Sequence, residues 1–118
     1  MLPTEILYRG ETKEVRFTLK SNGLPLNFAD LAEVTVLALV NKQLVSKYRK
    51  TGGTGWGDVE AVAGTGNENK CTVLLDAADT SYYWLGELAF ELSFPAGVEV
   101  EVENAPVFFV KDSETSRL

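Results

Sequence analysis

Gly86-Glu87-Leu88-Ala89-Phe90-Glu91-Leu92-Ser93-Phe94 runs into Pro95-Ala96-Gly97 and then into Val98-Glu99-Val100-Glu101-Val102-Glu103. The large apolar residues fall on even positions throughout. Period-two alternation marks a β-strand with one buried and one solvated face. Pro suits the first corner of a type I turn and Gly the left-handed residue after it. The triplet therefore predicts a three-residue hairpin loop with a glycine bulge. With Phe94 opposite Val98, Glu91 lies across from Glu101 and Ser93 from Glu99. Like charges directly opposed destabilise a sheet, so the wet face calls for cations from a neighbouring strand or from a partner. Glu91, Glu99 and Glu101 are thus candidate partner contacts. Arg16 and Lys20, outward on the alternating strand through Val15, Phe17 and Leu19, are the internal source. That expectation sets the two elements side by side in one sheet.

Working outward, Ile6–Tyr8 reads as a short strand with a turn at Arg9–Thr12, and Ser21-Asn22-Gly23 ends the next strand with residues that tolerate positive φ. Leu24 to Phe28 is a crossing loop with buried-looking side chains, and Asn27 or Asp30 caps a helical turn through Leu31. Glu33 to Val40 predicts a central strand, apolar on both faces. A turn at Asn41-Lys42 follows, then a strand from Gln43 to Tyr48 with Leu44, Ser46 and Tyr48 on one face. Thr51 to Gly57 is a flexible loop by composition, Asp58 to Ala63 a short edge strand, and Gly64 to Asn69 a polar loop. Cys71, Val73 and Leu75 alternate as a further strand, and Asp76 caps a helical turn ahead of Trp84 and Leu85. The even-numbered apolar series continues past Asn104-Ala105-Pro106 to Phe108 and Val110. One long strand with a bulge accounts for it, since Pro cannot donate to a ladder, and the break also marks a bend between sheets. Seven or eight short strands with regular turn signals predict an antiparallel β-sandwich with crossing connections, with a small barrel as the alternative.

The chain of 118 residues fits one domain, over residues 1–111, with a polar tail at 112–118. Eleven Lys and Arg against 17 Asp and Glu give a net charge of −6, which opposes binding to nucleic acid or an anionic membrane. Histidine is absent, removing the commonest general base and zinc ligand. The single cysteine, Cys71, precludes an intrachain disulfide. The first residues carry no signal-peptide pattern, and no apolar run approaches the roughly 20 residues of a membrane helix.

No constellation in the sequence carries catalysis, a cofactor or a metal. The glycine-rich stretch Gly52–Gly57 lacks the Lys-Ser/Thr and following helix of a phosphate loop. Asp58, Asp76 and Asp79 lack the dense oxygen spacing of a calcium loop, and caps and turns account for them. Cys71 sits at an inward position with no histidine to activate it. Glu87, Glu91 and Glu103 fall on an open face rather than in a cleft, so no acid/base pair follows. Among the aromatics, Trp84 and one of Tyr82 and Tyr83 are expected to fill the end of the core. Trp56, in its glycine loop, is the candidate for contact with a partner or a sugar.

Taken in order, Tyr8-Arg9-Gly10-Glu11-Thr12, Asn22-Gly23-Leu24-Pro25-Leu26-Asn27-Phe28, Asp76 to Thr80, Gly86-Glu87-Leu88-Ala89-Phe90-Glu91-Leu92 and the closing Val107 to Val110 resemble a known pattern. It is that of the N-terminal immunoglobulin-like domain of phage baseplate upper proteins of the BppU type and related tail modules. The sequence departs from it at Asn27-Phe28-Ala29-Asp30 and in its longer, glycine-richer Thr51–Lys70 region. The resemblance implies an immunoglobulin-like β-sandwich, a non-enzymatic structural or adaptor role in a tail or baseplate, no cofactor, and other protein subunits or further copies as partners. It also implies a virion component assembled in the bacterial cytoplasm. The alternative is a carbohydrate- or ligand-binding module that uses Trp56 and the glycine loops.

Overall fold

Val15, Phe17 and Leu19 alternate with Glu14, Arg16 and Thr18, and the first three are buried while their neighbours face outward. That strand, β2 (Lys13–Ser21), is the longest element of the computed structural model, which describes residues 5–50 and 57–112. The others are β1 (Glu5–Tyr8), β3 (Leu24–Pro25), β4 (Thr35–Val40), β5 (Gln43–Arg49), β6 (Gly57–Asp58), β7 (Glu60–Ala61), β8 (Lys70–Leu75), β9 (Gly86–Ser93), β10 (Glu101–Glu103) and β11 (Phe108–Lys111). A 3₁₀ turn, Phe28–Asp30, and a single-turn helix, α1 (Ala77–Thr80), complete the set. Both begin with the expected cap. The Asn27 side chain accepts from the Ala29 amide, and that of Asp76 from the Ala78 amide.

The larger sheet has the order β1-β11-β9-β4-β5-β6, and the smaller β10-β2-β8-β7 with β3 also paired to β2. Placing β2 and β8 against β4, β9 and β11, with β5 extending the larger sheet, gives a two-sheet β-sandwich. The pairing is not antiparallel throughout: β1 runs parallel to β11, and β5 parallel to β6. β1 and β11 lie at opposite ends of the described chain, as a parallel pair joined by a long connection requires. The core takes Val36, Ala38, Leu88, Phe108 and Val110 from one sheet and Val15, Phe17, Cys71, Val73 and Leu75 from the other. Phe90 bridges them edge-on, its ring centroid 5.5 Å from Phe17 and 6.3 Å from Phe108.

The hairpin predicted from the 86–103 alternation does not form. Its turn does: the Val98 amide donates to the Pro95 carbonyl and Gly97 has φ +85°. But β9 already has β11 on one edge and β4 on the other, so the returning strand finds no free edge there. It crosses instead to the outer edge of β2 as β10, with Glu101 opposite Lys20 and Glu103 opposite Thr18. The chain crosses back at Asn104, whose φ is +57°, and joins the larger sheet as β11. The single long strand is therefore two strands in different sheets, divided at the Asn104-Ala105-Pro106 break. Residues 57–61 likewise divide, β6 bordering one sheet and β7 the other, with Val59 buried between them.

Two smaller expectations are also corrected. A bulge between Ala38 and Leu39 shifts the β4–β5 register, setting Leu44 opposite Leu39 and turning it outward, while Ser46 and Tyr48 stay buried. Leu24 is exposed, standing directly after the tight Asn22-Gly23 turn and opposite Ser21. Arg9 donates to the Asp112 carboxylate at 2.8 Å, and residues 113–118 of the expected tail lie outside the described residues. Among the described residues no helix is long and apolar enough to cross a membrane.

Candidate functional site

The stretch Tyr8-Arg9-Gly10-Glu11-Thr12 is a clasp around α1. The buried Thr80 hydroxyl accepts from the Gly10 amide at 3.1 Å and donates to the Glu11 carbonyl at 2.7 Å. The Thr12 hydroxyl accepts from the Ala77 amide, and Arg9 donates to the Ser81 carbonyl. The Glu11 carboxylate takes the Tyr8 amide at 2.8 Å. Two motifs seventy residues apart thus satisfy each other's polar groups, and Gly10, at φ +85°, makes the sharp turn that permits it. Their work is architectural, which leaves recognition to other surfaces.

The loop that follows α1 is such a surface. Tyr83 points inward, fully buried, its hydroxyl 2.6 Å from the equally buried Ser46 hydroxyl. Its neighbours point out: Tyr82 is 84% exposed, Trp84 51% and Leu85 48%. Tyr83 fills the core end as expected of one tyrosine, and Trp84 does not, standing outward in the loop beside Leu85. Leu44, turned out by the bulge, joins them, and Leu44, Tyr82 and Trp84 line a groove of about 330 Å³ together with Val45, Tyr83 and Asp79. Asn41 fixes the loop's exit by donating to the Leu85 carbonyl and accepting from the Glu87 amide. Gly86 between them has φ +138°, and a side chain there would collide with Asn41.

A second surface is the outer face of the larger sheet, where Leu37, Leu39 and Ala89 are bordered by Glu87 and Glu91 on β9 and by Lys42 and Lys47 toward β5. A shallow groove of about 590 Å³ runs over Leu39 and Ala89. The third surface is a cleft of about 530 Å³ lined by Glu14, Asp58, Glu60, Asp76 and Asp79, with Tyr48 and Gly57 against its wall. It brings together Asp58, Asp76 and Asp79, yet no group of three or more acidic or thiol side chains among the described residues is placed to hold a metal. Asp76 is occupied as a cap and Glu14 by Arg16.

The titration of the buried groups suits a closed core. Burial pushes the Cys71 thiol up to about 12, with Lys50 opposing it only weakly. Burial likewise raises the Tyr83 and Tyr48 phenols. Ser46 and Tyr83 ease the rise at Tyr48, although its hydroxyl meets hydrogen-bond geometry with neither. Cys71 is completely buried, as its inward position predicts, and offers no nucleophile to solvent.

The glutamates of the predicted hairpin are dispersed. Glu91 lies on the outer face of the larger sheet opposite Leu37, and Glu99 is exposed in the crossing between β9 and β10. Glu101 borders the smaller sheet opposite Lys20. The opposed pair Glu91–Glu101 does not exist, and the cation for β10 comes from Lys20, whose ammonium is 2.9 Å from Glu103. That hydrogen bond, then the Glu103 and Glu101 charges, raise the Lys20 pKa. The strand expected beside the glutamates is thus their neighbour at β10 and not at β9, and Arg16 pairs within its own strand to Glu14. Trp56 lies outside the described residues. The exposed Tyr82–Trp84 pair escaped the sequence reading because nothing in a run of three aromatics says which one turns inward. The molecule is an all-β sandwich of two sheets with exposed aromatic and charged surfaces. Comparison with protein families, with characterised proteins and with solved structures found no match to this chain.

Proposed function

We propose that this chain is a non-enzymatic structural or adaptor module of a phage or prophage tail or baseplate, working through contacts with other protein subunits. The observation that carries the protein-contact reading is the loop at Tyr82–Leu85. Tyr82, Trp84 and Leu85 stand out of a loop clamped by Asn41, and Leu44 extends the patch. Rigidly held exposed aromatics are the side chains that anchor interfaces, since they bury large area at little entropic cost. The phage assignment rests on the resemblance of the segments from Tyr8 to Val110. The test is to purify intact particles induced from the source strain and to quantify this chain in them. The expected result is a fixed stoichiometry for the wild type and loss of incorporation with Trp84→Ala and Tyr82→Ala. Particles that lack the chain overturn the reading. A carbohydrate is the second reading, favoured by the groove that sets Tyr82 and Trp84 beside the Asp79 carboxylate. A glycan array with Trp84→Ala and Trp56→Ala as controls tests it, and absence of any binding retires it.

A further inference from the structure

We propose that the outer face of the larger sheet is a self-complementary interface for a second copy of this chain. The strand registers set its side chains in rows. Glu91, Leu37 and Lys47 form one row across β9, β4 and β5, and Ala89, Leu39 and Leu44 form the next. In the third, Glu87 lies beside the Asn41-Lys42 turn, where the Asn41 amide donates to the Glu87 carbonyl at 2.9 Å. Each row therefore runs from an acidic or small residue on β9, over leucine on β4 in the first two, to a basic or large one on the β5 side. None of Glu87, Glu91, Lys42 and Lys47 has an ion pair among the described residues.

Two copies packing face to face are related by a two-fold axis in the plane between them, and every contact across it occurs twice. An axis along β4 lays β9 of each copy over β5 of the other and keeps every row at its own level. Glu91 then meets Lys47 of the second copy, Glu87 meets Lys42, and the leucines of β4 meet each other. An axis across the strands reverses the rows, setting Glu91 over Glu87 and Lys47 over Lys42. Charge selects the first and penalises the second. Shape agrees with charge. Ala89 leaves the groove of about 590 Å³ beside Leu39, and Leu44, 47% exposed, stands at the equivalent place across the axis. Each Leu44 fills the other copy's groove. The patch is three strands wide, so its total buried area falls at about 1,000 Å² or below and the dimer is weak and reversible.

Sedimentation equilibrium of the full chain at concentrations up to about 1 mM reads this directly. The expected result is a monomer–dimer equilibrium that Glu91→Lys and Lys47→Glu each weaken by about 10-fold or more, since each turns two attractive contacts into two repulsive ones. Mixed in equal amounts, the two variants are expected to associate again, because in the mixed dimer the two substituted residues meet each other with opposite charge, and so do native Lys47 of the one and native Glu91 of the other. Thermal melts of the variants within a few degrees of the wild type keep folding out of the comparison. A wild type that stays monomeric throughout, charge variants that dimerise unchanged, or a mixture that remains monomeric overturns the proposal. The outcome does not depend on the phage assignment.

Discussion

At Tyr83 a phenolic oxygen is carried into the core and met there by one serine. The Ser46–Tyr83 hydroxyl pair is 2.6 Å apart and buried on both sides. Tyr83→Phe leaves the Ser46 hydroxyl without that partner, at an expected cost of about 1–3 kcal/mol in urea unfolding. Adding Ser46→Ala is expected to recover part of it, because an apolar pair of like shape carries no desolvation debt. Cys71 and the two buried tyrosines also give the protein an alkaline limit. In the unfolded chain a thiol ionises near its ordinary 9.0 and a phenol near 10.0, whereas burial holds Cys71 protonated to about 12 and raises Tyr83 and Tyr48. The folded state retains protons the unfolded state has lost. Stability is therefore complete below pH 9 and falls as the pH climbs toward 12, by roughly 1.4 kcal/mol per pH unit for each group ionised only in the unfolded chain. Denaturant midpoints at pH 7, 9 and 11 check this, with Cys71→Ala flattening the first part of the decline. Such residues are legible in advance only in part. The alternation of Cys71, Val73 and Leu75 puts the thiol inside, but nothing in Tyr82-Tyr83-Trp84 tells which ring turns in.

Among the elements, β10 is where local pattern and global pairing part company. Its valines and glutamates alternate just as those of a hairpin arm do, and the Pro95–Val98 turn has the expected chemistry. What the pattern lacks is any record of which edges of β9 are already taken by β4 and β11. Edge occupancy is a property of the assembled sheet, and alternation, being local, is silent on it. The demand for a cation was still legible, and Lys20 meets it. A double-mutant cycle should therefore find coupling between Lys20→Gln and Glu103→Gln and none between Arg16→Gln and Glu101→Gln, read by denaturant midpoints at low salt. Equal coupling in both cycles counts against the β2–β10 pairing. The bulge in β5 is a second case of the same kind: one inserted residue sends Leu44 outward, and the sequence from Gln43 to Tyr48 carries no glycine to announce it.

For the molecule as a whole, the sandwich itself was legible because each long strand keeps its large apolar residues on one face or, as in the central β4, on both. The candidate surfaces were less so, since exposure depends on how loops close over the sheet ends and on which face of the larger sheet stays uncovered. Its first and last described strands, β1 and β11, lie side by side and parallel, Glu5 level with Phe108 and Tyr8 with Lys111. Tension drawn from the start of β1 and the end of β11 therefore pulls the two strands along their length in opposite directions. All of the ladder's hydrogen bonds bear the load together, instead of parting one by one. Handles at Glu5→Cys and Lys111→Cys should accordingly need a higher rupture force in single-molecule pulling than handles at Thr35→Cys and Arg49→Cys. The latter pair face each other at the open end of the antiparallel β4–β5 hairpin, and the force there peels one bond at a time. A domain clasped in this way is mechanically a shear joint, stiffest along the line through its own first and last strands.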